Sequence, residues 1–339
     1  MEIFNLFWNE IINFLGLTDF FKILIEGNYS SFLTYKGIVS LIRPIIPLLL
    51  ILEFIVGFIY KKPHIKVYQT VFLIYIFNRF LGRFISIAAV TLCIGFFEKY
   101  AFLQTKMTWY WFLYSYIIWE FGHFIYHFLG HKVRFFWCFH ATHHTPEEMN
   151  LSVSHAHFFL EAPYADLIRT TICIVLGVEP AMLFTIMFID GTYGSFIHIG
   201  DNMIKSGKLG ILNKIILTPS HHRIHHARNP QYIDTNYCNL LNIWDRLFGT
   251  YKEEDPDVEI DYGITRKINS SNFIDVYFGE FILLFKDVIK APGLKNKLYY
   301  IFCPPGWNHK GNHKTARHIK LSFLKKDIYT ETKKALNKY

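Results

Sequence analysis

Residues 120–144 read E-F-G-H-F-I-Y-H-F-L-G-H-K-V-R-F-F-W-C-F-H-A-T-H-H. The stretch holds His127-x-x-x-His131, then His140-x-x-His143-His144. The second pattern returns as His222-x-x-His225-His226, inside H-H-R-I-H-H. On a helix, residues at i, i+3 and i+4 are neighbours, so each cluster is expected to offer several imidazoles to one point in space. Of the 17 histidines in the chain, thirteen fall between His123 and His226. Satisfied core histidines account for one or two of them, but not for two copies of H-x-x-H-H plus an H-x-x-x-H. The pattern predicts a metal site of more than one ion.

The expected ligands are His127, His131, His140, His143, His144, His222, His225 and His226, with His198 as a ninth. The first pair reads H-F-L-G-H, so the glutamate of a zinc-protease helix is absent. The lack of cysteine ligands argues against structural zinc. Imidazole suits iron, copper, nickel and zinc alike, and the ligand number favours two ions with about four or five histidines each. Second-layer partners should orient these rings. The candidates are Glu120, His221, Asp234 and Asn236, with Glu147, Asp201 and Asp245 behind them; His123 is either a ligand or a supporting residue.

The chain has 339 residues, is 52% hydrophobic and carries 34 Phe. Only 18% of residues are charged, against about 25% in soluble domains. The charges are sparse up to about residue 200 and dense beyond it, which predicts a membrane-embedded first part and an aqueous cap. The net charge of +8 lies around apolar segments and in the tail, a placement that suits lipid headgroups better than nucleic acid. The five cysteines are widely spaced and imply no disulfide framework. No cleavable signal peptide is expected, since the first residues carry Glu2 and Glu10 and lack a basic region.

The fold class expected is an all-α integral membrane protein, two transmembrane helical hairpins plus one further span, with a cytoplasmic helical cap. An interfacial segment covers 1–36, transmembrane helices 37–200, the cap 201–300 and a basic tail 301–339. Apolar runs at 41–60, 67–97 and 107–129 are each long enough to cross a hydrocarbon core, with a turn at Lys61-Lys62-Pro63-His64. Arg43, Arg79, Arg83, Glu53 and Glu120 within them must face protein or water. Residues 163–199, split by Val178-Glu179-Pro180, are expected to form a helical hairpin, because a single crossing would put His198 and His222–His226 about 30 Å from the other boxes. Down-and-back unites all the clusters on one face. Basic segments on that face make it cytoplasmic. Residues 273–288 are expected to form an amphipathic helix on the cap or the membrane.

Three stretches carry a resemblance: E-F-G-H-F-I-Y-H-F-L-G-H, then F-W-C-F-H-A-T-H-H-T-P-E-E-M-N-L-S, then T-P-S-H-H-R-I-H-H-A-R-N-P-Q-Y-I-D-T-N-Y-C-N-L-L-N-I-W-D-R-L-F-G-T-Y. They resemble the fatty acid hydroxylase and sterol desaturase superfamily of membrane di-iron enzymes. With Y-G-I-T and P-P-G-W downstream, the chain is most like the alkylglycerol monooxygenase branch. The resemblance covers residues 111–307. It departs from the family pattern at Glu120, Phe128, His155 and Cys238, where Asp, Arg, Arg and Gly are usual. It implies two iron ions, O₂-dependent hydroxylation of a lipid C–H bond, and a reductant that is tetrahydrobiopterin or a cytochrome- or ferredoxin-type donor. It implies a multi-pass protein of a bacterial inner membrane or the endoplasmic reticulum. The alternatives are a sterol, carotenoid or fatty-acyl desaturase of the same superfamily, or a non-catalytic membrane metal-binding protein.

Overall fold

The structure is a computed structural model that describes residues 8–13, 15–60, 65–78, 82–270 and 272–336. The turn at residues 61–64, Arg79 and the first seven residues of the N-terminal segment lie outside the described residues. The described residues are helical and contain no strand, only two isolated antiparallel bridges, Ile216 with Leu241 and Ala227 with Tyr262. The first half comprises α1 (Thr18–Ile25), α2 (Tyr35–Ile42), α3 (Ile45–Ile59), α4 (Ile65–Asn78), α5 (Gly82–Phe97), α6 (Trp109–Lys132) and α7 (Arg134–His144). After a 3₁₀ turn at Leu151–His155 come α8 (Glu161–Val175), α9 (Pro180–Phe196), α10 (Pro219–His225), α11 (Ile243–Phe248), α12 (Phe273–Lys290), α13 (Gly293–Phe302) and α14 (Ala316–Leu336).

The all-helical expectation holds, but long apolar helices are fewer than expected. Among the described residues, Lys36–Ile59 is the one helical stretch with the length and hydropathy of a membrane span. The apolar run at 67–97 is two helices of 14 and 16 residues, roughly 21 and 24 Å long against a hydrocarbon core of about 30 Å. The Asn78 amide donates to the carbonyl of His157 at 2.5 Å, and its oxygen accepts from the Tyr277 hydroxyl. The end of α4 is therefore tied to the cap. Gly82 opens α5 where a Cβ would stand 3.0 Å from the carbonyl oxygen of Phe159.

The expected hairpin is present as α8 and α9. Pro180 occupies the first turn of α9, where a missing N–H costs nothing, and the Glu179 side chain accepts from the amide of Met182 at 2.9 Å. Gly177 between them takes φ +82°, which favours glycine. The turn is bound to the loop before α6: Phe102 donates to the carbonyl of Val175 at 2.8 Å and Thr105 to that of Gly177 at 2.9 Å.

Charges within the apolar helices face protein in two of three described cases. The buried Glu53 carboxylate accepts from the amides of Leu151 and Gly200, each at 2.7 Å. Glu120 is likewise buried. Arg43 instead stays exposed between α2 and α3, its stem against Gly16. Large apolar side chains that no protein covers line α3 to α5, among them Phe54, Phe58, Phe72, Phe84 and Leu92.

Candidate metal centre

The nine expected histidines are buried and gather into two groups: His127, His131, His140, His144 and His225 in one, His143, His198, His222 and His226 in the other. Within each group the candidate ligand atoms all lie within 4.8 Å of one another. The groups adjoin, with the rings of His144 and His226 stacked at 4.3 Å. Each H-x-x-H-H box is thus divided between two points, not directed at one. At 100° per residue, positions i+3 and i+4 lie on opposite sides of position i and about 100° apart. His140 and His144 therefore turn to the first group and His143 to the second. His222 and His226 turn to the second, and His225 crosses to the first.

Outer hydrogen bonds fix the rings. Nδ1 of His127 donates to the carbonyl of Tyr237 at 2.8 Å, and Nδ1 of His225 to that of Thr235 at 2.7 Å. Nδ1 of His198 donates to the carbonyl of Gly194 at 2.6 Å, and Nδ1 of His140 to the Glu161 carboxylate at 2.5 Å. A carbonyl or carboxylate oxygen only accepts, so these Nδ1 atoms bear the protons and each Nε2 presents a bare lone pair. Those lone pairs converge. Nε2 of His140 lies 3.0 Å from Nε2 of both His127 and His144, and Nε2 of His198 lies 2.9 Å from that of His222 and 3.2 Å from that of His143. Nε2 of His131 and of His225 have no hydrogen-bond partner.

A cluster of buried acceptors without donors is satisfied by a cation. The spacing agrees: imidazole nitrogens about 2.0–2.1 Å from one first-row ion stand roughly 3.0–3.4 Å apart. Protons cannot do the same work. Burial, reinforced by the neighbouring imidazoles, pushes His143, His144, His222, His225 and His226 well below the usual imidazole range.

The supporting candidates divide by what they touch. Asp234 lies 3.4 Å from Nδ1 of His131 and also binds the Lys132 ammonium. Glu120 reaches the site through the backbone, accepting from the amides of Asn239, Leu240 and Leu241 at 3.1, 2.7 and 3.1 Å. Asp245 accepts from those of Tyr237 and Cys238, both at 2.8 Å. Together the two carboxylates hold residues 237–241 so that the Tyr237 carbonyl meets His127. Asn236, with φ +58°, ties the carbonyls of His221 and Lys252 together. His221 has both ring nitrogens engaged: Nδ1 accepts from the amide of Thr218 at 3.1 Å and Nε2 donates to the Tyr251 hydroxyl at 2.9 Å. It closes the first turn of α10 as the third residue of a capping box does. His123 lies outside both groups, 3.7 Å from Asp190. Glu147 is paired with Arg228 at 3.4 Å, and Asp201 is exposed.

Two residues that matter here were not among the sequence candidates. Glu161 gives one oxygen to His140 and the other to Nδ1 of His157 at 2.8 Å, and the His157 ring stacks on His143 at 4.3 Å. One carboxylate thus touches the first group directly and reaches the second through His157. Arg223, inside the third box, is buried and donates to the carbonyls of Ile199, Ile204 and Lys205, holding the segment after His198 against α10. The sequence marks neither residue: Glu161 meets His140 only across 21 positions, and Arg223 reads as one more basic residue in a histidine box.

Two cavities flank the centre. One of about 280 Å³ has an apolar floor of Val67, Val71, Ile74, Ala156 and Val276 and passes Thr145, the residue after His144. A smaller one of about 70 Å³ opens onto His131, His144 and His225 beside Trp137, Arg228 and Asp234.

Residues 111–250, which contain all nine histidines, match the family model for fatty acid hydroxylases, and the chain carries a fatty acid hydroxylase domain. Its curated relatives include the alkylglycerol monooxygenase of Homo sapiens, 30% identical over 286 residues, or 82% of this chain and 62% of that protein. The alkylglycerol monooxygenase of Xenopus tropicalis is 34% identical over 199 residues, 59% of this chain and 43% of that one. The ornithine lipid hydroxylase OlsE of Rhizobium tropici is 29% identical over 152 residues, 45% of each chain. The chain therefore spans less than two thirds of the length of these relatives. No solved structure matches it significantly.

Proposed function

We propose that this chain is a membrane di-iron monooxygenase that hydroxylates a C–H bond of a lipid with O₂. The observation that carries the reading is the convergence of nine buried imidazoles, Nε2 inward, into adjoining groups of five and four. We assign His127, His131, His140, His144 and His225 to one iron and His143, His198, His222 and His226 to the other. Two irons there would supply dioxygen activation, with one oxygen atom going to the substrate carbon, the other leaving as water, and a donor providing two electrons and two protons.

The chain's own residues position and shelter that chemistry. Imidazole ligands are neutral, so ions held there would keep their full charge, and the chemistry they would supply is dioxygen activation. Glu161, Asp234 and the carbonyls of Tyr237, Thr235 and Gly194 orient the rings and raise their basicity. The larger cavity receives the substrate chain, its apolar floor excluding water while Lys66, Glu147 and Glu148 at the rim meet a polar headgroup. Both kinds of relative are named for lipids with polar heads, which supports a substrate of that class. The smaller cavity is the polar approach for protons and the electron donor.

The chain is a multi-pass protein with its histidine face cytoplasmic. The bonding of the α8–α9 turn to the loop before α6, while His198 at the far end of α9 lies beside His222, supports the down-and-back path. The test is direct: purify the protein from iron-supplemented cells, count metal per chain, and follow lipid products under isotopically heavy O₂. About two irons per chain and one heavy oxygen in a lipid product are expected. One metal or fewer, no label, and an unaffected His222→Ala variant would overturn the reading. Loss of two hydrogens without oxygen gain would identify a desaturase.

A further inference from the structure

Outside the histidine boxes, the largest feature the proposed chemistry leaves unused is the outer face of α12 and α13. Helix α12 has two apolar faces. Val276, Tyr277 and Leu284 turn inward and are buried. They pack with Phe139 and Cys138 of α7, the helix that supplies His140, His143 and His144. Ile274, Ile282, Phe285 and Ile289 fall within about 80° of arc on the other side at 100° per residue, and no protein covers them; Phe285 is 67% exposed. On the same wheel Lys286 and Lys290 border that stripe on one side and are exposed, and Asp275 between them and the stripe is paired with Arg266. Helix α13 repeats the design over ten residues. Leu294, Leu298 and Phe302, spaced four apart, are exposed, Leu294 at 73%. Lys295 stands beside them, its ammonium 5.6 Å from the Tyr299 ring.

An exposed apolar stripe bordered by lysines is what an interfacial helix presents to a bilayer. Two observations choose lipid over a protein partner. The flank is basic on both helices, complementary to anionic headgroups. The stripe also continues an apolar surface already present: Phe77 of α4 packs edge-on against Phe273, Tyr277 and Phe278 of α12. Phe72, Leu73 and Ile76 of that same α4 stand uncovered. We propose that α12 and α13 form a monotopic docking surface that lies in the interface of a bilayer containing anionic lipid and seats the second-box helix at a fixed height above it. The proposal rests on the reading of the chain as a membrane protein, and extends it to a part of the cap beyond the matched domain.

The test places single cysteines at Phe285, Leu298, Phe54 and Asp257 in the full chain carrying Cys303→Ser, with iron content as the check of folding. Each is spin-labelled in nanodiscs of phosphatidylcholine with and without phosphatidylglycerol. Molecular oxygen concentrates in the bilayer and a nickel chelate in water, so the ratio of their effects reports the label's surroundings. Labels at Phe285 and Leu298 are expected to resemble Phe54 of α3, with several-fold greater relaxation by oxygen, while Asp257 shows the reverse. The ratio should rise with phosphatidylglycerol, and Lys286→Gln with Lys290→Gln should abolish that rise. If Phe285 and Leu298 behave like Asp257 while Phe54 reports lipid, the docking surface is wrong and the membrane reading stands. Shielding from both reagents would mean that protein covers the stripe, which also overturns it. If Phe54 itself reports water, the membrane reading fails and the docking surface with it.

Discussion

Glu161 holds His140 through one oxygen and His157 through the other, and His157 stacks on His143. Replacing it by glutamine keeps the shape and removes the charge. Loss of a second-layer carboxylate costs about 10–100-fold in metal affinity. Glu161→Gln should therefore lower the iron retained after dialysis against a weak chelator, while its metal-free form unfolds near the temperature of the metal-free wild type; unchanged iron would refute the role. Glu120 differs, because its buried carboxylate satisfies three amides and touches no ligand. Glu120→Ala leaves those amides unpaired and should destabilise the fold by about 2–4 kcal/mol, read as a fall in unfolding temperature even in the metal-free protein. A further expectation concerns pH. His143, His144, His222, His225 and His226 are held neutral well below the usual imidazole range by burial, whereas in the unfolded chain they protonate near pH 6.5. The unfolded state then binds more protons, so stability of the metal-free protein should fall as pH drops below about 6.5. A flat unfolding temperature from about pH 7.5 to 5.5 would contradict this. The histidines that converge were legible because their spacing repeats. Glu161 was not, since it meets His140 only through the fold, 21 positions away.

Each H-x-x-H-H box serves both metal groups, and that division belongs to the helix as an element. The i and i+4 histidines join one group and the i+3 histidine crosses to the other. Removing His143 should deplete the group of four and spare the group of five, whereas removing His144 should do the reverse. We expect each alanine variant to retain about one iron per chain, with different spectra for the iron that remains. Loss of both ions in both variants would mean that the groups fill only together. Sequence periodicity gave the boxes but not the division, because a spacing rule lists neighbours on a helix surface without saying where two partners stand. The apolar run at 67–97 misled for a related reason. Hydropathy averages over Asn78, yet that one amide, bonded to His157 and Tyr277, ties this part of the run to the cap. The α8–α9 turn was legible because Pro180 and the need to reunite His198 with its partners pointed the same way.

At the scale of the molecule, the centre is where separate parts of the chain are joined. His127 and His131 come from α6, His140 to His144 from α7, His198 from the end of α9, and His222 to His226 from α10. Without an ion, nine buried imidazoles face one another with Nε2 inward, an arrangement that is relieved when the groups move apart or take up water or protons. Metal binding is therefore coupled to the docking of the cap on the helices. An ion present at 100 times its dissociation constant stabilises the folded state by about 2.7 kcal/mol, and two sites contribute more. Removing the metal with a strong chelator should lower the unfolding temperature by several degrees. Proteolysis of the metal-free protein should open first around residues 199–216, where Arg223 and His198 hold the chain to the site. Readdition of ferrous iron without oxygen should restore both the temperature and the protection. An unfolding temperature indifferent to chelation, with iron confirmed absent, would show that the packing of α7 on α12 and the clamps at Glu120 and Asp245 suffice to assemble the centre alone.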